Sequence, residues 1–210
     1  MENESRNMII NPVIYNKRYP YLIVDNFYNE DEYNSVFNEL ESFQDILEND
    51  DSPELQKELN GVINKTRVYL DKTYLNRREQ SVILSIDVNK ICTDKIMEAY
   101  DETTPASVTF RCTNTDHTQV SYYEGGDTYL SHHDSAMHTC LIYINKEPKS
   151  FTGGNLKFTK SNQVVEFKNN RLVVFPSYYL HEVDKVVMDE KDLNKGLGRY
   201  CITHFFSKMQ

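Results

Sequence analysis

The chain has 210 residues, of which 39% are hydrophobic and 26% charged. That length and balance suit a single folded domain with a sizeable core and exclude a disordered or fibrous chain. Lys and Arg total 23 against 32 for Asp and Glu, a net charge of −9, which argues against a protein that grips nucleic acid through its phosphates.

Residues 1–5 are acidic and no apolar run follows them, so no secretory signal is expected. Residues 21–24 (Tyr-Leu-Ile-Val) read as a short strand. Asn29 then offers a helix cap with Glu32 three residues on, close to a capping box. Tyr33, Val36, Phe37, Leu40, Phe43 and Leu47 follow at helical spacing, which predicts an amphipathic helix over 30–48 packed against a sheet. Residues 45–58 are acidic, contain Pro53 and read as a solvated loop. Lys65, Arg67, Lys72, Arg77 and Arg78 form a basic stretch, read first as a solvated face and second as a lining for a substrate entrance. A second helix is predicted over 86–100.

The second half changes character. Short strands separated by turns are predicted over 108–113, 118–123, 139–144, 156–158, 164–167, 171–175, 183–187 and 199–206. Many short strands point to a sandwich or barrel, and helices before strands point to α+β, mainly β, with helices buttressing the β core. Four of the seven glycines sit in the pairs Gly125-Gly126 and Gly153-Gly154 and mark tight turns or close backbone approach. The apolar runs fall far short of the roughly 20 residues that span a bilayer. Cys92, Cys112, Cys140 and Cys201 have no metal-ligand spacing and read as reduced thiols. A cytoplasmic protein with no membrane partner is expected.

Of the six histidines, His117, His133, His138 and His204 are read as ordinary structural or surface residues. Ser131-His132-His133-Asp134 is different. In an extended segment His132 and Asp134 share one face and His133 the other. One imidazole and one carboxylate on a common face can chelate a metal. With a second histidine they make the two-His-one-carboxylate triad of non-haem Fe(II) oxygenases. A His-x-Asp pair alone is weak, and its surroundings decide. Tyr123, Gly126, Tyr129 and His132 form a Y-x-x-G-x-x-Y-x-x-H run. Thr139-Cys140-Leu141-Ile142-Tyr143-Ile144-Asn145 and Gly153-Gly154-Asn155-Leu156-Lys157-Phe158 follow. Asn170-Arg171-Leu172-Val173-Val174-Phe175-Pro176-Ser177, His181-Glu182-Val183 and Arg199-Tyr200-Cys201-Ile202-Thr203 complete the series.

This series, covering about half the chain in order, resembles the prolyl 4-hydroxylase-like family of Fe(II)/2-oxoglutarate dioxygenases. The lead-in Pro20-Tyr21-Leu22-Ile23-Val24-Asp25-Asn26-Phe27 is also similar to the family's strand before its first helix. The resemblance implies a double-stranded β-helix, that is, a jelly-roll core with N-terminal helices in support. It implies one domain over 1–210, with support in 1–107 and the metal-bearing core in 108–207. His132, Asp134 and His181 match the family's iron ligands. Arg199 matches the cation that holds the far (C5) carboxylate of 2-oxoglutarate, with Thr203 on the same strand face, and Tyr143 and Tyr123 match positions beside the cosubstrate. The segment from His181 to Arg199 is longer than the family's usual gap, which is assigned to a hairpin over 188–198 and leaves Lys191 as a rival anchor. Fe(II), 2-oxoglutarate and O2 are the implied cofactors, with ascorbate as a further candidate. No catalytic residue is expected beyond the metal centre.

The implied reaction is hydroxylation of a C–H bond, best guessed as that of a prolyl residue in a peptide or protein, with succinate and CO2 as co-products. Asp134 favours hydroxylation, because related halogenases carry a small residue there. Residues 200–210 lack the second arginine frequent in nucleic-acid demethylases, so no nucleic-acid partner is expected. Two alternatives stand beside this reading: a hydroxylase of another side chain or a small molecule, and a non-catalytic β-barrel binding protein with a vestigial metal site.

Overall fold

The structure, a computed structural model, describes residues 7–14, 19–49, 65–75 and 77–209. Its frame is a large sheet of eight strands in the order β1-β2-β11-β7-β14-β5-β4-β3. These are β1 (Ile9–Val13), β2 (Tyr21–Asp25), β3 (Glu48–Asn49), β4 (Thr66–Tyr69), β5 (Thr115–Tyr123), β7 (His138–Ile144), β11 (Arg171–Pro176) and β14 (Arg199–Ser207). A smaller sheet has the order β10-β9-β12-β6, built from β6 (Tyr129–His132), β9 (Leu156–Phe158), β10 (Gln163–Val165) and β12 (His181–Val183). A third pairing joins β8 (Phe151–Thr152) to β13 (Val187–Met188). The described pairings are all antiparallel. Two facing antiparallel sheets with the helices gathered on one side make the mainly β, double-stranded β-helix architecture.

Alternation along the large sheet splits the core in two. Val120, Cys140, Ile142, Leu172, Val174, Tyr200 and Ile202 point outward into one cluster with Val36, Leu40, Ile83, Ile91 and Ile96 of the helices. The intervening residues Tyr123, Leu141, Tyr143, Val173, Phe175 and Cys201 point inward and pack on Leu156, Phe158 and Val183 of the small sheet. A strand buried on both faces has no polar side to give to water, which explains why β7 is buried throughout.

The helical layer contains α1 (Glu30–Ser42), α2 (Leu70–Tyr74), α3 (Val82–Ile91), α4 (Asp94–Thr103) and α5 (Ser107–Arg111). The capping box of α1 is as expected: the Asn29 side chain accepts from the Glu32 amide at 2.9 Å, and the Glu32 carboxylate accepts from the Asn29 amide at 2.8 Å. Four expectations need correction. The first helix ends at Ser42, passes through a tight turn at Gln44–Ile46, and the chain then joins the sheet as β3. The predicted helix over 86–100 is two helices, α3 and α4, broken at Cys92-Thr93. Residues 107–111 form α5, where a strand was expected. Val108, Phe110 and Cys112 alternate, but Ser107 and Phe110, three apart, are the pair that buries, while Val108 is exposed. Finally, the segment 188–198 is not a hairpin. It pairs briefly with β8 through β13 and then turns through Glu190–Asp192. Most of the acidic loop, including Pro53, lies outside the described residues.

No described helix is long and apolar enough to cross a membrane. All four cysteines are free thiols.

The outward face also buries polar side chains, each bonded. His204 Nε2 lies 2.8 Å from Asp87 Oδ2, whose other oxygen accepts from the Tyr28 hydroxyl at 2.6 Å. His138 lies between the Tyr100 hydroxyl at 3.0 Å and the Thr109 hydroxyl at 2.7 Å and stacks on Phe110. Burial pushes the pKa of His138 down to about 4, so the folded chain keeps it neutral where an unfolded chain, titrating near 6.5, takes up a proton. Stability therefore falls as the pH drops from about 6.5 towards 4. In urea unfolding, the parent should lose on the order of 3 kcal/mol more over that window than His138→Gln, which carries no titrating ring. Equal pH slopes for the two proteins would contradict this.

Candidate metal centre and cosubstrate pocket

His132 closes β6 and His181 opens β12, and the two are direct partners across the small sheet. Their rings lie 4.3 Å apart between centroids. Asp134 follows β6 after one residue, its amide donating to the Ser177 carbonyl at 3.0 Å. Its carboxylate oxygens lie 3.6 Å from His132 Nε2 and 3.6 Å from His181 Nε2. One ligand atom from each of the three residues falls within 4.8 Å of the others, the spacing of groups that could share one cation.

Both imidazoles are oriented in the same way. His132 Nδ1 is 2.7 Å from the Leu130 carbonyl, and His181 Nδ1 is 2.7 Å from the Tyr179 carbonyl. A carbonyl only accepts, so each Nδ1 carries a hydrogen and each ring turns its Nε2 towards Asp134. Burial, and then the neighbouring His181, push the pKa of His132 down to about 2, so it is a neutral ligand at any ordinary pH. The carboxylate is braced too: the buried Thr139 hydroxyl donates to Asp134 Oδ2 at 2.6 Å and lies 2.8 Å from the Ser177 hydroxyl. Two imidazoles and one carboxylate suit a first-row divalent metal such as Fe(II).

The triad opens onto a cavity of about 50 Å³ inside the barrel. Leu141, Leu156, Val183 and Phe205 supply its apolar walls, and Arg199, Thr203 and Tyr123 reach it from the large sheet. Arg199 is completely buried. Its Nε donates to the Gly154 carbonyl at 2.8 Å, while Nη1 and Nη2, both buried, have no hydrogen-bond partner. The guanidinium carbon lies 4.8 Å from the Tyr123 ring centroid, 4.9 Å from that of Tyr143 and 5.5 Å from that of Phe167. The Tyr143 hydroxyl is likewise buried without a partner, and burial raises its pKa, so it remains a donor. A caged guanidinium with two unbonded nitrogens beside an unbonded phenol fits a carboxylate, which would accept from all three donors. Gly154 makes this approach feasible. Its φ is +70°, and a Cβ there would meet Arg199 Cδ at 2.7 Å.

The structure thus brings together His132, Asp134, His181, Arg199, Thr203, Tyr143 and Tyr123. Arg199, Cys201 and Thr203 share the inward face as alternation predicts. Lys191, the rival anchor, is exposed and pairs with Asp189 at 3.2 Å. The basic stretch divides: Arg78 pairs with Asp71 and Asp116, and Arg67 and Lys72 lie against the Tyr69 ring. Lys65, however, lines the cavity. Sequence reasoning assigned no role to the Thr139–Ser177 brace, although the alternation that aligns Thr139 with Leu141 and Tyr143 was the available signal.

A jelly-roll barrel with two imidazoles and a carboxylate beside a caged guanidinium is the form of an iron- and 2-oxoglutarate-dependent oxygenase. Residues 118–207 match the family model of the 2OG-Fe(II) oxygenase superfamily, which supports a 2-oxoglutarate-dependent dioxygenase. That family implies Fe(II), 2-oxoglutarate and O2. Among solved structures, the chain is similar to a Pseudomonas putida prolyl-4-hydroxylase at a TM-score of 0.57 and 16% identity, covering 92% of this chain and 95% of that one. It is similar to the viral collagen prolyl hydroxylase of Paramecium Bursaria Chlorella virus-1 at a TM-score of 0.51 and 16% identity, over 95% of both chains. NgTET1, solved with 5mC DNA, matches at a TM-score of 0.51 and 13% identity, over 90% of this chain and 72% of that one. At these identities the likenesses speak for the fold. A search of curated protein sequences gives no significant match.

Thr139→Val keeps the side chain's shape and deletes the hydroxyl that braces Asp134. It should weaken Fe(II) binding about 10- to 100-fold in an anaerobic titration, with an unchanged far-UV circular dichroism spectrum. Parent-like affinity would show that the brace has no influence on the ligand.

Proposed function

We propose that this protein hydroxylates a C–H bond of a prolyl residue in a peptide or protein, with Fe(II) held by His132, Asp134 and His181. The observation that carries the oxygenase chemistry is Arg199: a buried cation with unused donors, in the same cavity as the triad. In this reading Arg199 and Tyr143 hold the C5 carboxylate of 2-oxoglutarate, Thr203 adds a hydroxyl from the same wall, and Tyr123 packs beside it. The guanidinium fork is suited to that task in a way a lysine point charge is not.

The chain's own groups orient and exclude. Leu130 and Tyr179, through their carbonyls, fix the tautomers of the two imidazoles. Thr139 fixes the carboxylate. Leu141, Leu156, Val183 and Phe205 keep the wall apolar, which strengthens each charge interaction inside and limits side reactions with water. Iron and 2-oxoglutarate, when bound, supply the oxidising power, one oxygen atom of O2 going to the substrate and the other to succinate as CO2 is lost. The prolyl substrate is supported by the resemblance of the motifs to prolyl 4-hydroxylases and by the shared fold. The net charge of −9 speaks against nucleic acid as the partner.

Anaerobic addition of Fe(II) and 2-oxoglutarate should produce the visible charge-transfer band of an iron-chelated 2-oxo acid, lost in Asp134→Ala. Arg199→Ala should weaken 2-oxoglutarate binding about 10- to 100-fold, the cost of a lost charge-assisted pair. His181→Ala should abolish succinate release while the fold persists. A folded parent that gives no band with iron supplied would overturn the reading, and turnover by His181→Ala at the parent rate would overturn the ligand assignment.

A further inference from the structure

Cys201 stands beside the donors that the cosubstrate pocket leaves open. It is a free thiol, 4% exposed, and it lines the same cavity as the triad and Arg199. On β14 it lies two residues from Arg199, so both side chains leave the same face of the strand, with backbones about 7 Å apart. Across the ladder its direct partner on β7 is Tyr143, and on β5 it is Ser121. Directly opposed side chains of an antiparallel pair have Cβ atoms about 5 Å apart. The sulfur lies 3.8 Å from the Thr203 hydroxyl. Cys201 is thus flanked by the guanidinium along its own strand and by the phenol on the next.

Those two flanking side chains carry three polar atoms, Arg199 Nη1 and Nη2 and the Tyr143 hydroxyl, that are buried with no hydrogen-bond partner. All three can donate. A thiol offers them only a weak acceptor, whereas an oxygen added to that sulfur offers a strong one. The nearness of the three groups also shows in their titration. Burial lowers and then Cys201 raises the pKa of Arg199, while burial, Arg199 and then Cys201 act on that of Tyr143. The other cysteines have no such setting. Cys140 packs in the apolar cluster on the outer face of the sheet, and Cys92 and Cys112 are exposed.

We propose that Cys201 is a redox modification site: hydrogen peroxide converts its thiol to a sulfenic acid whose oxygen accepts from Arg199 and Tyr143 and so closes the 2-oxoglutarate anchor. The inference rests on the oxygenase reading and adds a regulation of the same site. In the step, sulfur attacks one peroxide oxygen. The S–O bond forms, the O–O bond breaks, and the departing hydroxide takes the thiol proton as water. Sulfur is oxidised and peroxide is reduced. The product is tethered beside the donors that the far carboxylate of the cosubstrate uses, so its effective concentration there is high. Thiol reductants restore the thiol from a sulfenic acid, which makes the closure reversible.

The test starts from the full metal-free chain and a limiting amount of hydrogen peroxide, removed before metal is added. Dimedone trapping with peptide mass mapping locates sulfenic acid. Anaerobic Fe(II) and 2-oxoglutarate, added to a second sample, report cosubstrate affinity through the visible band. In the parent, Cys201 should be trapped, 2-oxoglutarate should bind at least about tenfold more weakly, and dithiothreitol should restore the affinity. Cys201→Ser and Cys201→Ala cannot form the sulfenic acid. Both should keep their 2-oxoglutarate affinity through the same treatment, although Cys92 and Cys112 remain open to oxidation. Urea unfolding of the treated metal-free protein gives a readout independent of iron. The parent's midpoint should rise relative to treated Cys201→Ser, because the new oxygen pairs a buried cation that had lacked an acceptor. An untrapped Cys201, a trapped Cys201 with unchanged 2-oxoglutarate affinity, an equal loss in both variants, a loss that dithiothreitol does not reverse, or a midpoint that does not rise would each overturn the proposal. A parent that gives no band before peroxide would overturn the oxygenase reading, and the trapping and urea arms would still decide whether peroxide modifies Cys201 beside Arg199.

Discussion

A guanidinium cannot be stripped of water cheaply, and Arg199 is stripped completely. Much of the barrel interior is arranged around that constraint. Three aromatic rings face the cation, the Gly154 carbonyl takes one of its hydrogens, and no described acid neutralises it. The terminal nitrogens are buried without a hydrogen-bond partner. In the proposed reading the site is pre-organised for a carboxylate. The same constraint explains a glycine on the facing segment, since any side chain at Gly154 would collide with the arginine.

The metal end of the cavity is set by strand pairing. His132 and His181 are far apart in the chain but adjacent in register, so the small sheet delivers two imidazoles to one point. Two backbone carbonyls then fix which nitrogen each ring presents, and the Thr139 hydroxyl fixes the carboxylate. Each ligand is thus held by a second contact from a regular strand or its immediate flank. Rigid support of this kind limits the freedom that would be lost on binding an ion.

The large sheet makes both ends compatible because its two faces do different work. The outward face is closed by helices and by bonded polar groups such as Asp87–His204 and His138. The inward face is released from that role and can hold Arg199, Thr203 and Tyr123. Had either face been left to solvent, alternation would have required polar residues there, and the continuous burial of β7 would have been impossible.

The sequence by itself determined a good deal: the mainly β second half, the capped first helix, the shared face of Arg199, Cys201 and Thr203, and the His132/Asp134 pair. All of these rest on local periodicity and short spacing, which a linear chain displays directly. The partnership of His181 with that pair came from the family pattern, because no local rule connects residues on distant strands. Only the tertiary structure shows that Arg199 is buried in the cavity and Lys191 exposed, since burial is a property of the packed interior. It also decided that 107–111 is helical, because Phe110 packs beneath His138, a contact no local alternation foretells. Lys65 is the clearest case. In the sequence it is one member of a basic stretch, and its entry into the cavity follows from the pairing of β4 with β5, which sets its side chain beside Tyr129.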